Sequence, residues 1–377
     1  MKYEIVIDNK IPFIKGALEP FAEVVYLAGK DTTPEVVKDA DALITRTRTI
    51  CNEALLKGSA VKAIATATIG FDHIDTAWCE ANGIAWSNAP GCNSWSVKQY
   101  IGSVLAVLAQ KHGLNLNELT LGVVGVGNVG SKVAEVGRAY GMKVLLNDPP
   151  RQRKEGPEGF VSLEELTAKS DIITVHVPLT KDGEDATWHL FDDKRLAGLR
   201  KDQILINSSR GPVVDNKALK ATLKAGAIKA AVLDVWEGEP DLDKELVDLL
   251  DISTPHIAGY SADGKANGTT MSIRYIAAQL GLPLGGWRAE GIPAPAQELA
   301  FDIDAEGKSL QEVVSEAMLH AYDVRRDSDA LRADLGAFER LRGDYAVRRE
   351  PSAFEVKLIG GTEEMVLALK KLDFNVK

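Results

Sequence analysis

Side chains suited to proton transfer follow one another in the second half of the sequence. Arg210 lies in NSSRGPVVD, three acidic residues lie in LDVWEGEP, and His256 lies in TPHIAGY. A histidine can exchange a proton with an alcohol or ketone, a nearby carboxylate can orient its ring, and an arginine can bind a substrate carboxylate through two hydrogen bonds. This set predicts oxidation or reduction of a hydroxy acid. The orienting carboxylate is Asp234, Glu237 or Glu239, and a packing role for His256 or a surface role for Arg210 stays open.

A glycine-rich segment upstream predicts a dinucleotide site. GVGNVG follows the apolar run TLGVV and precedes SKVAEVGRAY, which favours a helix. The first glycine allows a tight turn, the second lets the backbone approach a pyrophosphate, and the third lets helix and strand pack closely. The next strand-like run, KVLLND, ends in an aspartate that would bind ribose hydroxyls and repel a 2′-phosphate, which favours NAD over NADP. The predicted cofactor residues are Gly125, Gly127, Asn128, Val129, Gly130 and Asp148.

The elements that must position these residues alternate between strand and helix. This pattern predicts α/β units with parallel sheets, in which ligands bind beyond the carboxyl ends of the strands. A long apolar helix, which Ser94 or Ser96 can cap, separates the two series and ends at Gly113. The strand-like runs are 2–8, 23–28, 41–46, 61–68 and 83–88 in the first series, and 120–124, 143–148, 170–180, 202–211, 229–236 and 249–256 in the second.

Length and composition set outer limits on function. A chain of 377 residues is expected to form two or three domains, and 45% hydrophobic with 26% charged residues is typical of globular proteins. The net charge of −10 gives no general attraction for nucleic acid. No apolar run approaches the ~18 residues of a membrane span, and the start lacks a signal-peptide pattern, so we expect a cytoplasmic protein. The chain has three cysteines, Cys51, Cys79 and Cys92, whose spacing is not that of metal ligands. We therefore expect free thiols and no metal site.

The last part of the chain has a different character. Residues 281–297 are rich in glycine and proline and predict a linker. Beyond it, 309–324 and 362–374 have helical spacing, and 352–360 alternates as a strand with Phe354, Val356 and Leu358 on one face. A small α+β domain with an exposed apolar face would be stabilised by packing against a second copy. This part carries no catalytic signature.

The motifs GVVGVGNVG, NSSRGPVVD, LDVWEGEP and PHIAGY resemble, in order and spacing, those of the NAD-dependent D-2-hydroxyacid dehydrogenases, over about residues 1–282. The resemblance implies two Rossmann/flavodoxin-like doubly wound domains. Residues 94–256 would bind NAD, and 1–93 with 257–285 would bind substrate. Within the family, ATATIGFDHID, APGCNSWSVKQYI and HIAGYSADGKANGTT are most similar to a branch that oxidises a phosphorylated 2-hydroxy acid and forms homodimers through a C-terminal domain, here 286–377.

The same resemblance implies roles for individual residues. Arg210, Glu239 and His256 would be catalytic, with Glu239 as the orienting carboxylate. Asp234 would lie near the nicotinamide carboxamide. Val177 stands where some relatives use a hydroxyl side chain on the cofactor, so no such contact is predicted. The remaining implied contacts are Gly259 with cofactor, and Thr47, Thr68 and Tyr260 with substrate.

Other residues and functions stay open. Arg46 and Arg48, in ITRTRT, follow a predicted strand and could hold a phosphate or form structural salt bridges. We favour Arg46, which lies nearer the strand end. The sequence around His176 favours a positioning or packing role for this residue. We expect His73 in a solvent-facing turn. Alternative functions are a relative acting on 3-phosphoglycerate or on glyoxylate and hydroxypyruvate, or a non-catalytic NAD sensor, against which the catalytic set argues.

Overall fold

The computed structural model describes residues 2–377, and the chain divides into two compact units. One unit spans Met1–Asn93, of which residue 1 lies outside the described part, and Ser261–Pro293. The other spans Ser94–Tyr260 and Ala294–Lys377. The C-terminal region lies in the same compact unit as the predicted NAD-binding residues, and the expected three-part division, with 286–377 as a domain of its own, stays a prediction.

In residues 2–377, twelve of the fourteen strands correspond to predicted runs, and most are shorter than those runs; Ala300–Asp304 and Asn375–Val376 were not predicted. The strands are β1 (Tyr3–Asp8), β2 (Ala22–Leu27), β3 (Ala42–Thr45), β4 (Ala63–Thr66), β5 (Ala85–Ser87), β6 (Thr120–Val124), β7 (Lys143–Asn147), β8 (Ile172–Val175), β9 (Ile204–Asn207), β10 (Ala230–Leu233), β11 (Ile252–Ser253), β12 (Ala300–Asp304), β13 (Glu355–Ile359) and β14 (Asn375–Val376).

Along residues 2–377, every helix lies between two strands. The helices are α1 (Pro34–Val37), α2 (Glu53–Leu56), α3 (Thr76–Ala81), α4 (Ser94–His112), α5 (Asn128–Ala139), α6 (Pro149–Glu155), α7 (Leu163–Lys169), α8 (Asp193–Ala197), α9 (Asn216–Lys224), α10 (Lys244–Leu249), α11 (Ala262–Leu280), α12 (Leu310–Ala321), α13 (Val324–Ala333), α14 (Phe338–Gly343) and α15 (Glu363–Lys371). None of the helices in residues 2–377 combines the length and apolar character needed to cross a bilayer.

The first unit contains a five-stranded parallel sheet in the order β2-β1-β3-β4-β5. Every residue of β3 and β4 is buried, as expected for central strands covered on both faces. The strand order reverses between β1 and β3, where open parallel sheets bind ligands beyond the strand ends. The segment of Arg46 and Thr47 leaves the sheet at this point.

The second unit contains a six-stranded parallel sheet in the order β11-β10-β9-β8-β6-β7. Its order reverses between β6 and β8, next to the glycine-rich turn. Both sheets confirm the predicted fold class of doubly wound α/β units. Helix α4 begins at Ser94, so neither predicted serine precedes the helix as its cap. Ser96 instead donates a hydrogen bond from Oγ to the carbonyl of Ala258, at 2.9 Å.

The C-terminal region adds a three-stranded parallel sheet, β12-β13-β14, to the second unit. Phe354 and Val356 are fully buried, and they belong to one apolar core with residues of α4, α5, α12 and α15. The apolar face of β13 is therefore covered within the chain rather than left open for a second copy, because these helices pack onto it. That part of the sequence argument for a dimer is wrong.

Candidate active site

His256 and Glu239 form a hydrogen-bonded pair beyond the carboxyl ends of β11 and β10. His256 Nδ1 lies 2.9 Å from Glu239 Oε2, and both side chains are about three-quarters buried, with 31% and 23% exposed. Glu239 Oε1 accepts a hydrogen bond from the backbone N–H of Trp236 at 2.9 Å. Burial alone would raise the pKa of Glu239, but the hydrogen bond and charge of His256, with this backbone N–H and the charge of Arg342, lower it overall. A charged carboxylate thus holds one ring nitrogen and leaves Nε2 for chemistry.

Asp234 holds the turn on which His256 lies. The turn has a left-handed conformation at His256, with φ +55°, which is strained for a residue with a side chain. The buried Asp234 carboxylate accepts hydrogen bonds from Thr254 Oγ1 at 2.6 Å, Ile257 N at 2.8 Å and Ala258 N at 3.0 Å. Burial raises the pKa of Asp234, against the effect of these donors and of the His256 charge. These contacts offset the strain and fix the ring position.

Glu237 faces away from this pair. Its Oε1 lies 2.7 Å from His189 Nε2, and its Oε2 accepts from the backbone N–H of Asn216 at 2.9 Å. His189, Glu237 and Asp215 have potential ligand atoms within 4.8 Å of one another. However, Asp215 caps α9 through the N–H of Ala218, so the carboxylates of this cluster already serve the backbone. Of the three carboxylates left open by the sequence, Glu239 is the one that contacts His256.

Arg210 follows β9, the neighbour of β10 in the sheet. Asn207 shapes the intervening turn by donating to the Arg210 carbonyl at 2.9 Å and accepting from Ser209 N at 3.0 Å. The half-buried guanidinium donates from Nη1 to the Ser209 carbonyl at 2.9 Å. A side chain at Gly211 would collide with the Trp236 carbonyl at 2.0 Å, so glycine permits this loop to lie against the loop of Glu239.

The glycine-rich turn has the geometry that a dinucleotide requires. Gly125 has φ +84°, and a side chain at Gly130 would lie 1.8 Å from the Gly125 carbonyl, so helix and turn pack in direct contact. The space beside Gly127 is open, and α5 begins at the next residue with its amide groups available for a pyrophosphate. Asp148 Oδ2 accepts from Val126 N at 2.8 Å, which ties the carboxylate predicted to bind ribose to the turn. These residues fit NAD.

His176, near the same turn, is not suited to proton transfer. Its Nδ1 is inaccessible to solvent and has no hydrogen-bond partner in residues 2–377, and its Nε2 lies 2.9 Å from Thr174 Oγ1. Burial lowers its pKa to about 3, so the ring stays neutral. A Cβ at Gly125 would meet the His176 carbonyl and Val177 Cγ1 at 2.7 Å. This environment agrees with the packing role that the sequence favoured.

The predicted substrate residues of the first unit follow the ends of β3 and β4. Thr47 is exposed, and Arg46 is half-buried with a 3.4 Å contact from Nη1 to the Lys10 carbonyl. Thr68 donates from Oγ1 to the Gly70 carbonyl at 2.8 Å. The expectation for His73 is wrong, because its side chain is buried, 3.5 Å from Thr45 Oγ1, with a pKa lowered by burial.

The C-terminal region supplies contacts that the sequence did not predict. Arg348 donates from Nη2 to the Ala258 carbonyl at 2.6 Å and contacts Ser96 Oγ. Tyr345 packs edge to face on Tyr260, with ring centroids 5.9 Å apart. The only signal in the sequence was the basic run ERLRGDYAVRRE, which contains no catalytic pattern. Residues far along the chain therefore line the segment after His256.

Comparisons with known proteins agree with this architecture. The family model for the "D-isomer specific 2-hydroxyacid dehydrogenase, NAD binding domain" matches residues 97–258, and a "Domain of unknown function (DUF3410)" matches 295–372. The erythronate-4-phosphate dehydrogenase of Bacteroides fragilis is 52% identical over 94% of this chain and 99% of its own. The erythronate-4-phosphate dehydrogenase of Porphyromonas gingivalis is 41% identical over 98% of this chain and 99% of its own. The solved D-lactate dehydrogenase from Aquifex aeolicus, complexed with NAD and lactic acid, matches with a TM-score of 0.62 and 28% identity over 77% of this chain and 100% of its own.

Proposed function

Because the chain belongs to the erythronate-4-phosphate dehydrogenases, within the D-2-hydroxyacid dehydrogenase family, we propose that it oxidises 4-phospho-D-erythronate to (R)-3-hydroxy-2-oxo-4-phosphooxybutanoate with NAD. We further propose that this step belongs to pyridoxal 5′-phosphate biosynthesis. The observation that carries the proposal is the contact of 2.9 Å between His256 Nδ1 and Glu239 Oε2, on neighbouring strand ends of the unit that contains the NAD-binding turn.

The proposed mechanism assigns one task to each residue of the pair. Glu239 accepts the Nδ1 proton of His256 in a hydrogen bond, so Nε2 is the unprotonated atom and takes the proton of the substrate 2-hydroxyl. The charge of Glu239 then stabilises the imidazolium. Arg210 binds the substrate carboxylate and orients C2. Bound NAD supplies the hydride acceptor.

The other assignments are proposals of the same kind. Asp148 binds the ribose, while Asp234 and Gly259 line the nicotinamide side of the site. The pyrophosphate lies on Gly125, Gly127, Asn128, Val129 and Gly130. The substrate contacts Thr47, Thr68, Arg46 and Tyr260.

We also propose a homodimer through the C-terminal region. The covered face of β13 does not support this dimer, but large apolar side chains at the surface of the same region do. Leu367 on α15 is 51% exposed, and Ile359 at the end of β13 is 45% exposed. Exposed apolar groups of this size are candidates for a contact between copies.

A substrate panel with NAD tests the proposed function. The panel holds 4-phospho-D-erythronate, 3-phospho-D-glycerate, D-glycerate, glycolate and D-lactate, each measured as initial NADH formation. We expect the highest kcat/KM for 4-phospho-D-erythronate. A higher value for 3-phospho-D-glycerate or D-glycerate would favour the alternative enzymes, and an absence of turnover on every acid would favour an NAD sensor.

A further inference from the structure

A buried hydrogen-bond network joins the C-terminal region to the segment that carries His256. Asp327 Oδ2 accepts from the hydroxyls of Tyr322 at 2.6 Å and Tyr345 at 2.7 Å. The buried Arg348 guanidinium lies 4.4 Å from the centroid of the Tyr322 ring and donates to the Ala258 carbonyl, two residues after His256. Buried, charge-assisted contacts of this kind fix the position of both segments. The C-terminal region is thus a rigid part of the catalytic end of the second unit.

The same network places Arg342 beside Tyr260. Arg342 lies on α14, three residues before Tyr345, and its guanidinium carbon is 5.6 Å from the centroid of the Tyr260 ring. The same carbon lies 5.5 Å from the centroid of the Phe338 ring. The charge of Arg342 also contributes to the lowered pKa of Glu239, behind burial and the effects of His256 and Trp236. A cation from the C-terminal region therefore lies beside Tyr260 and acts electrostatically on Glu239.

Arg342 keeps unused hydrogen-bond donors, although Glu339 is its ion-pair partner. In the part of the chain that the structure describes, its guanidinium makes one hydrogen bond, from Nη1 to Glu339 Oε1 at 3.4 Å. Its Nε is buried and has no hydrogen-bond partner there. Side chains of arginine offer five N–H donors in a fixed plane, and buried donors are normally satisfied. The unused donors of a half-buried guanidinium are suited to a multivalent anion.

We infer that Arg342 binds the phosphate group of the substrate, on the side of the site formed by Tyr260. This inference rests on the proposed function, which gives the substrate two anionic ends. Arg210, from the strand end of the sheet, binds the carboxylate, and Arg342, from the C-terminal region, binds the phosphate. Arg46 in the first unit is the competing phosphate ligand. The region matched by a domain of unknown function would thus determine substrate specificity.

The test compares 4-phospho-D-erythronate with unphosphorylated D-erythronate in the full-length enzyme with NAD. Where turnover of D-erythronate is too slow, its inhibition constant against 4-phospho-D-erythronate replaces KM. Arg342→Ala should raise KM for the phosphorylated acid by roughly 10- to 100-fold, the effect of losing a charge-assisted contact, and change the value for D-erythronate less than threefold. Arg342→Lys should retain part of the preference, because it keeps the charge but loses the planar donors.

Matched variants separate binding from folding. Arg340→Ala is the control on the same helix, since Arg340 is 66% exposed and pairs with Asp334 at 3.3 Å, and it should behave as wild type. Arg342→Met keeps the apolar stem against Tyr260 and Phe338, so its KM change reports the lost charge. Inorganic phosphate should compete with 4-phospho-D-erythronate in wild type at least tenfold better than in Arg342→Met.

Three outcomes would overturn the inference. Equal KM changes for both acids in Arg342→Ala and Arg342→Met would make Arg342 structural, with the proposed function intact. If KM rises only for the phosphorylated acid in Arg46→Ala, and not in the Arg342 variants, Arg46 of the first unit binds the phosphate instead. If the wild-type enzyme does not turn over 4-phospho-D-erythronate, the proposed function is wrong, and the inference that rests on it is wrong too.

Discussion

Asp148, which we propose sets the choice of cofactor, also shapes the glycine-rich turn. Its carboxylate accepts from Val126 N at 2.8 Å and from Arg151 N at 3.0 Å, so it is fixed before cofactor binds. Arg151 donates to the Val126 carbonyl at 2.6 Å and lies beside the ribose position that we propose. Asp148 therefore accepts the hydrogen bonds that shape the turn, and we propose that its charge also excludes a 2′-phosphate.

Asp148→Ala should weaken NAD binding by roughly tenfold and narrow the difference in affinity between NAD and NADP. The repulsion is lost while the cation of Arg151 remains. Asp148→Asn is the control, because an amide oxygen can still accept from Val126 N. Titration of both cofactors measures the effect, and unchanged NAD affinity in Asp148→Ala would remove this residue from the site.

The charge of Glu239 has a predictable effect on pH dependence. Glu239→Gln keeps a hydrogen-bond acceptor for Nδ1 but no longer stabilises the imidazolium, so the acidic limb of the kcat/KM profile should move to lower pH. The folded protein holds the pKa of Glu239 below its ordinary value of 4.5, so the ionised carboxylate stabilises the folded state. This contribution to the free energy of unfolding is fully present above pH 4.5 and is lost as the pH falls below it. The stability difference between wild type and Glu239→Gln should shrink as pH falls below 4.5. An acidic limb that moves upward would contradict the pairing.

At the scale of elements, the strand that leads to His256 is the edge of its sheet. β11 pairs with β10 on one side, and on the other side the Ser253 N–H donates to Ser328 Oγ of α13 at 3.1 Å. Arg332 of the same helix donates to the Leu250 carbonyl at 2.7 Å. Helix α13 therefore covers an edge whose backbone groups would otherwise be buried without partners.

Ser328→Ala should lower the free energy of unfolding by about 1–3 kcal/mol, because it leaves the buried Ser253 N–H unpaired. We expect kcat to fall with it, since the strand end sets the position of His256. Asp329→Ala, an exposed neighbour on α13, is the matched control and should stay within about 0.5 kcal/mol of wild type. Denaturant unfolding measures the free energy of unfolding of both variants. Equal values for Ser328→Ala and Asp329→Ala would mean that α13 does not support β11.

Local sequence predicted the central strands and the proposed catalytic set because these depend on continuous apolar runs and on residues at strand ends. β12 was not predicted, since AFDID alternates apolar residues with acids and reads as a polar segment. The charged helices α13 and α14 were also missed. Arg342 and Arg348 reach the His256 segment only through tertiary packing across many residues, which no local pattern encodes. His73 was misplaced for the same reason, as the bridge between Cys51 and Ile74 buries its turn.

At the scale of the molecule, the C-terminal region completes the core of the second unit. Helix α12 packs on α4, and α15 packs on α5. The buried ammonium of Lys98 on α4 donates to Asp373 Oδ2 at 2.8 Å and to the Lys371 carbonyl at 2.6 Å. The C-terminal region therefore shares an apolar core and a buried charged group with the unit that contains the glycine-rich turn.

A chain that ends at Pro293 should therefore fail to fold as a stable enzyme. The truncation exposes the apolar residues of α4 and α5 and leaves Lys98 without two of its partners. We expect aggregation, or loss of cooperative unfolding with increased dye binding, where the full chain unfolds in one or two sharp transitions. A soluble truncated chain that unfolds cooperatively and binds NAD would show that the region is an independent module.

The role of His256 is tested most directly by the turnover of His256→Ala beside wild type, with 4-phospho-D-erythronate and NAD, followed as NADH formation. Wild type should produce NADH, and the variant should lose about 10²- to 10⁴-fold in kcat, because the base is removed. NAD affinity should stay within about threefold, since the glycine-rich turn and Asp148 are unchanged. Near-normal kcat in His256→Ala would contradict the account and leave His256 as a packing residue.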